Sequence, residues 1–480
     1  MYAYTYERNE NRNILMPEII DLSAVELSQL IKTGQISCVE VLESFIARHE
    51  LVNSSVNAIV TTVFDQAMDQ AKSHDSNPNK EGKLFGLPIA HKDLARTKNI
   101  RTTFGSVLFY SHVPDQDDLF VERIRDAGAI CIGKTNTPEF GAGSHTFNRV
   151  FGSTCNPYDT SRSCGGSSGG AAVALATKML PIADGGDFGG SLRNPAAFCN
   201  VVGFRPSPGR VPNSRFGNLG SDLPTLGPMA RSIDDVALLF SVMAGPENGA
   251  YGLLDTPGAD FEHVEAAELA DLRIAYTPDF GFLPVEQEIE ESLNRFADNI
   301  EKHGGNLTLA TPDLSGAVET FQTLRALEFR NRFGAFSPEE KLELKETIIW
   351  NTAKGFDLTL EEVLNARSHR AMLIQRVSEF FQDYDLLIGP STQVLPFPIE
   401  TEWVKEIRGV EMESYIDWMS ACTCISVVST PALSLPAGFS GGLPVGAQLI
   451  APIGQDKKLL SMSKAIEQIT AVKEPSIESS

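Results

Sequence analysis

Positive charge is in short supply in this chain. Lys and Arg number 40 against 62 Asp and Glu, leaving a formal net charge of −22 at pH 7. Binding a phosphate backbone takes clustered Lys and Arg, and none is present, so no nucleic-acid partner is expected. Histidine is also scarce. The eight histidines do not gather with cysteines or carboxylates at ligand spacing, so no metal is expected, and nothing calls for a cofactor. The seven cysteines are scattered and odd in number, and Cys422-Thr423-Cys424 is not a C-x-x-C pair. That usage suits reduced, mostly buried thiols in a cytoplasm rather than a disulfide framework. Long apolar runs are missing too: no window reaches the ~20 residues of a membrane span. Residues 1–18 are polar, with Glu7, Arg8, Glu10 and Arg12 where a signal peptide needs an apolar stretch. Neither a membrane nor a secretory route is expected.

What the chain has in plenty is glycine and serine between Cys164 and Arg193. The stretch opens with Gly165-Gly166-Ser167-Ser168-Gly169-Gly170 and closes with Gly185-Gly186-Asp187-Phe188-Gly189-Gly190-Ser191-Leu192-Arg193. Ala171 to Leu180, between them, is rich in good helix formers, and Pro181 to Ala183 reads as a short strand. Two serines therefore stand on tight turns at the ends of one compact unit. Successive N–H groups in such turns form nests for a negative oxygen. An embedded apolar helix sets the stretch apart from a flexible linker.

Two motif matches compete for the chemistry. Gly165-Gly166-Ser167-Ser168-Gly169 fits the G-x-S-x-G nucleophile elbow of an α/β-hydrolase esterase. That elbow needs an apolar strand before it, and Asn156 to Ser163 is polar and turn-rich. Gly128 to Thr135 spells G-x-x-x-x-G-K-T, a phosphate-binding loop. Its interior, Ala129 to Ile132, is an apolar strand-like run followed by Asn136-Thr137-Pro138 instead of a helix. A third reading starts from Lys92, which ends the apolar run Gly86 to His91. A lysine at the end of a buried strand is desolvated, its pKa falls, and the neutral amine can serve as a general base.

Together, Gly86 to Asp93, Gly133 to Phe140, and Cys164 to Pro212 resemble the amidase signature family of serine hydrolases. The segments Pro431 to Gly438 and Gly442 to Gly446 resemble the family's closing part. The resemblance spans residues 20–245 and 380–470; no usable motif falls in 250–380. It implies an α/β amidase-signature fold: a central mixed β-sheet covered by helices on both faces, a helical N-terminal collar and a mainly helical insertion. It also implies Ser191 as nucleophile, Ser167 as a bridging serine behind a cis peptide bond, and Lys92 as base. Ser191 follows Ser167 by 24 residues (191 − 167), as in the family. The N–H groups of Phe188, Gly189, Gly190 and Ser191 would line the oxyanion hole. Ser168, Asp187 and Arg193 would support the site, the last two as a buried charge pair, with substrate-carboxylate recognition as the alternative for Arg193. The chain departs from the family at Gly186 and Ala171, where Thr or Ser and Ser are usual.

The activity this implies is amide-bond hydrolysis by a stand-alone enzyme on a small amide or carbamate, with esters chemically close. The alternatives are the A subunit of a tRNA-dependent amidotransferase, which works with partner subunits, and a non-catalytic relative on the same fold. A monomer or homodimer is expected.

Helix signals frame this core. Ser23 to Glu26 and Ser37 to Glu40 are capping boxes, and Gly34 marks a helix end. Leu84–Ala90, Ala129–Ile132 and Pro181–Ala183 read as buried strands among helices. Ile289, Leu293, Phe296 and Ile300 share one helical face. Thr311 to Asp383 reads as mostly helical, with Trp350 and Phe356 near a loop, and the aromatics of Phe333 to Phe356 and Trp403 to Trp418 are expected to face a core rather than a pocket. The expected layout is a tail over 1–18 and one domain over 19–475, its core about 60–245 and 380–470. The resemblance implies that a variable helical region at about 250–420 forms much of the substrate pocket.

Overall fold

The computed structural model describes residues 18–212, 223–247 and 254–470. The tail expected over 1–18 lies, but for its last residue, outside the described residues, as does the boundary expected at 475.

An eight-stranded mixed sheet forms the centre. Its spatial order is Asn306–Leu309, Arg273–Tyr276, Leu386–Pro390, Leu443–Ile450, Ala432–Ser440, Val202–Arg205, Thr225–Ala230 and Ile182–Asp187. The first three strands run parallel; the remaining pairings are antiparallel. Ala432–Ser440 and Leu443–Ile450 form a hairpin whose two-residue turn is Gly441-Gly442, both at positive φ (57° and 85°). That turn matches the strand twist only with both central residues left-handed, a conformation glycine takes at little steric cost.

Helices flank the sheet. Gly169–Ala176 is buried on every side, as its all-round apolar and small-residue sequence requires, and Arg193–Cys199 is buried with Arg193 paired to Asp187 and Asn194 donating to Ser144 Oγ. Arg193–Cys199 lies so close to the hairpin that a Cβ on Gly446 would meet Ala197 Cβ at 2.6 Å. Both N-terminal capping boxes form, starting Ala24–Lys32 and Cys38–Val56, and Gly34 follows the first helix at φ 71°.

A second, three-stranded sheet carries the lysine. Pro88–Lys92 runs parallel to Ile130–Thr135, which pairs antiparallel with Ile59–Thr62. The apolar signal sets the first two of these strands one to four residues too early, because the buried chain continues through the polar residues that follow. Ile130–Thr135 explains the phosphate-loop lettering. Lys134 is fully buried and donates to Ala95 C=O and Thr97 Oγ1, so it points into the core. Between Ile130–Thr135 and the Ser167 loop the only strands are the two-residue pair Phe147–Asn148 and Gly152–Ser153, with isolated bridges at Cys155, Arg162 and Ser163; no core strand runs into the loop, so the elbow geometry is absent.

Between Gln287 and Asp383 the chain is mostly helical, as the periodicity requires, with the strand Asn306–Leu309 the exception. Gln287–Lys302 buries Ile289, Leu293, Phe296 and Ile300. Trp350 and Phe356 depart from expectation. Both lie inside the helix Glu346–Asp357, at 36% and 51% exposure, because its buried face is made by Ile348, Asn351, Thr352 and Gly355 and these two positions fall outside it.

Candidate active site

Lys92 is the last residue of its strand and is 3% exposed. The strand lies beside Ile182–Asp187 and is tied to it by Asp184, whose Oδ1 accepts from Lys92 N–H at 3.2 Å. Across from them the loop 164–168 turns into Gly169–Ala176. A Cβ on Gly170 would meet Asn136 N at 2.3 Å and Ala58 O at 2.6 Å, so backbone packs on backbone here and only glycine fits. The Gly166–Ser167 peptide bond is cis.

This packing brings three residues of the motif together. Lys92 Nζ lies 2.7 Å from Ser167 Oγ, 2.9 Å from Ser168 Oγ and 3.5 Å from Gly186 O. Burial pushes the Lys92 amine down to about 7, against the opposing pull of Asp187 and Asp184. A neutral amine has two N–H donors and one lone pair. That count fits donation to Ser168 and Gly186 with the lone pair facing the Ser167 hydroxyl.

Ser191 sits at the start of Arg193–Cys199 and is partly exposed, as is Phe188. Its carbonyl accepts from Ser168 N–H at 3.1 Å, which ties the two serine loops together through backbone. No hydrogen bond joins the Ser167 and Ser191 hydroxyls among the described contacts. The loop between Asp187 and Arg193 is held by a buried charge cluster. Asp187 accepts from Arg193 Nε at 3.0 Å and Nη2 at 2.9 Å, and Arg205 Nη1 stands 3.4 Å away. Burial opposes ionisation of Asp187, but the two guanidinium groups outweigh it and hold the carboxyl well below the usual range. Burial pushes Arg205 down to about 10. Arg193 is fully buried, and its remaining donors go to Cys422 O, Gln448 Oε1 and Ser426 Oγ. All five of its donors are committed, so substrate-carboxylate recognition by Arg193 is not possible.

One expected oxyanion donor is also engaged. Gly190 N–H donates to Asp187 Oδ1 at 2.7 Å. Among the described contacts the N–H groups of Phe188, Gly189 and Ser191 have no protein acceptor. The nest therefore offers three N–H groups rather than four, with Gly190 spent on orienting the loop.

An amidase family model matches residues 40–460. The chain belongs to the amidase family. It is 31% identical to the A subunit of the glutamyl-tRNA(Gln) amidotransferase of Azotobacter vinelandii (strain DJ / ATCC BAA-1303), over 94% of this chain and 97% of that one. A bacterial aryl acylamidase of the amidase signature enzymes superposes with a TM-score of 0.87 at 26% identity, covering 94% and 96% of the two chains. A 6-aminohexanoate cyclic dimer hydrolase complexed with substrate superposes at 0.85 and 25%, covering 95% and 99%. Members of the family hydrolyse amide C–N bonds, and this chain is an enzyme of that class.

Sequence reasoning missed what surrounds Lys92 and the two serine loops. His91 Nδ1 lies 2.6 Å from Asp184 Oδ2, both buried. Burial works against a charged His91, but Asp184 outweighs it, with Cys131 adding to the effect, and pushes the imidazole up to about 9. A buried imidazolium–carboxylate pair thus sits one residue from Lys92, at a position the sequence shows only as the end of an apolar run. The adjacency in sequence was visible; Asp184, 93 residues away, had no local signal. Across the mouth, the helix Ala317–Phe333 packs on the loop. A Cβ on Gly189 would meet Phe321 Cζ at 2.8 Å, and the Phe188 and Phe321 rings lie 5.6 Å apart. Phe188 also belongs to the rim of a small apolar cluster of Phe140, Ala142, Phe329, Phe333, Leu344 and Ile348. Among the described residues no group of three or more His, Cys, Asp or Glu is placed to hold a metal. Nor is any helix there long and apolar enough to cross a membrane.

Proposed function

We propose that this amidase-family chain cleaves its amide through an acyl-enzyme on Ser191. Neutral Lys92 takes a proton from Ser167, and Ser167 takes one from Ser191 as its oxygen attacks the carbonyl carbon. The negative oxygen that forms is met by the N–H groups of Phe188, Gly189 and Ser191; one such donor is typically worth ~3–4 kcal/mol. The C–N bond breaks, and the proton returns through Ser167 to the leaving nitrogen. A second nucleophile then releases the acyl group. The observation that carries this reading is the buried Lys92 amine 2.7 Å from Ser167 Oγ, beside a nest anchored by Asp187. The Ser167–Ser191 link closes when substrate binds; catalytic hydrogen bonds are commonly long before then.

Two settings suit that chemistry. The first is the A subunit of a tRNA-dependent amidotransferase, in which the freed amide nitrogen passes to partner subunits. Near-full-length identity of 31% to such a protein supports it. The second is a self-sufficient amidase on small amides, extending to carbamates and esters. It is supported by the triad and nest all lying in one chain, and by fold likeness to an aryl acylamidase and a cyclic dimer hydrolase.

One panel separates them. The purified chain is given glutamine, aryl and aliphatic amides, dipeptide amides, carbamates and esters, alone and co-expressed with amidotransferase partner subunits, with products read by mass. Glutamine hydrolysis that needs the partners supports the first setting. Turnover of a nitroanilide by the chain alone supports the second. If no amide is cleaved either way and no acyl-enzyme forms, the catalytic reading is wrong.

A further inference from the structure

The mouth of this site holds a cation with no counter-ion. Arg325, on Ala317–Phe333, is 4% exposed. Its Nε donates to Asn351 Oδ1 at 3.1 Å and to Tyr415 Oη at 3.2 Å, and Nη2 donates to Tyr415 Oη at 2.9 Å. Those acceptors are neutral, and among the described residues no carboxylate pairs with Arg325. Its Nη1 has no protein acceptor among the described contacts and is not sealed from solvent. Burying an unpaired charge is costly, and a guanidinium offers a two-pronged edge shaped for a carboxylate.

The group is also held in place. Its carbon lies 5.0 Å from the Phe188 ring centroid, 4.5 Å from Phe329 and 5.5 Å from Tyr415. Phe188 is three residues before Ser191. Tyr415 reaches toward Gly143, where a Cβ would stand 4.0 Å from its ring, and a Cβ on Gly141 would lie 3.3 Å from Ser167 Oγ. The guanidinium therefore packs on Phe188 of the Ser191 loop and, through Tyr415, borders the segment 141–143 that lies against Ser167. Phe321, which touches the oxyanion loop, is one helical turn away on the same face. Among the described residues, the side edge of Arg325 is occupied and its end edge is left for a ligand.

We propose that Arg325 is a specificity-determining residue that receives a carboxylate on the substrate. This rests on the acyl-enzyme reading for turnover, but not for binding. The test uses a matched pair on the full chain: succinyl-4-nitroanilide and butyryl-4-nitroanilide, equal in chain length and differing in the terminal carboxylate. The wild-type chain is expected to prefer the succinyl compound by about 10-fold or more in kcat/KM, the range of a charge-assisted contact. Arg325→Met should abolish that preference while keeping turnover of the butyryl compound, and Arg325→Lys should restore part of it. A wild-type preference for the neutral compound, or an equal loss on both in Arg325→Met, overturns the proposal. If neither compound is turned over, calorimetry of succinate binding to Ser191→Ala, with and without Arg325→Met, decides it. Binding that depends on Arg325 supports the carboxylate site and puts the fault in the catalytic reading. No binding, or binding indifferent to Arg325, sinks the site itself. Because Arg325→Met removes packing as well as charge, its melting profile is compared with that of Arg325→Lys. The wild-type preference stands as a test that needs no variant.

Discussion

Activity should follow the charge state of Lys92. With its amine pushed down to about 7, the neutral fraction is about one-eleventh at pH 6 and about ten-elevenths at pH 8. The neutral form starts the relay, so kcat/KM should rise ~10-fold across that interval and then level off. An ordinary lysine titrating near 10.5 would instead give ~100-fold over the same interval, still climbing at pH 8. The plateau thus reports the burial of Lys92 between the two serine loops. The charges facing that amine are Asp184, Asp187 and, through Asp184, the His91 imidazolium. Replacing His91 with Gln removes a positive charge and leaves Asp184 uncompensated. That favours the charged amine, so the acid limb should move to higher pH while remaining present. Lys92→Ala should lower kcat/KM by ~10³ or more, as when one member of a catalytic unit is removed. The assay is initial-rate kinetics on whichever amide the panel identifies, in buffers of constant ionic strength from pH 5 to 9.5. If His91→Gln abolishes the limb while Lys92→Ala keeps wild-type activity, the assignment of Lys92 as base is refuted.

Three further outcomes are expected. A fluorophosphonate should add to Ser191 and to no other serine, since only Ser191 is partly exposed beside the free N–H groups; peptide mapping that places the adduct on Ser167 or Ser168 would revive the elbow reading. Asp187→Asn should destabilise the fold by ~3–5 kcal/mol, the scale of breaking a buried ion pair, because Arg193 and Arg205 both lose their charge partner; an unchanged denaturation midpoint in urea would contradict the cluster's role. Gly189→Ala should lower kcat by ~100-fold, in line with disturbing an oxyanion donor, because the new methyl meets the buried Phe321 ring at 2.8 Å; Phe321→Leu in the same chain should recover part of the rate, and a wild-type rate for Gly189→Ala alone would show that the loop tolerates the shift.

The sequence made the local features readable and left the crossing contacts dark. Capping boxes at Ser23 and Ser37 and the helical face of Ile289 to Ile300 each depend on residues within a few positions, and each forms. The loop carrying Ser167 and the loop carrying Ser191 were equally plain, because close backbone packing demands glycine in a dense pattern. Strand limits were less plain: Lys92 and Asp187 are buried for chemistry, so hydrophobicity stops short of where their strands end. Asp184 under His91, Arg205 under Asp187 and Arg325 beside Phe188 have no motif of their own. Each is defined by a partner 18 or more residues away. Gly190 shows the limit from the other side: its N–H lies in the expected loop but is turned to Asp187, a detail that only the backbone path decides.

Phe321 and Arg325 share a helix, and this limits how the enzyme can be altered. One turn of that helix rests on the oxyanion loop, and the next reaches into the mouth. A redesign that exchanges the whole segment to accept a new substrate would also remove the surface against which Gly189 is seated. Selectivity and rate would then change together, and a poor variant would not reveal which had failed. Libraries that hold position 321 fixed and vary 325 with its aromatic neighbours keep the two properties separable.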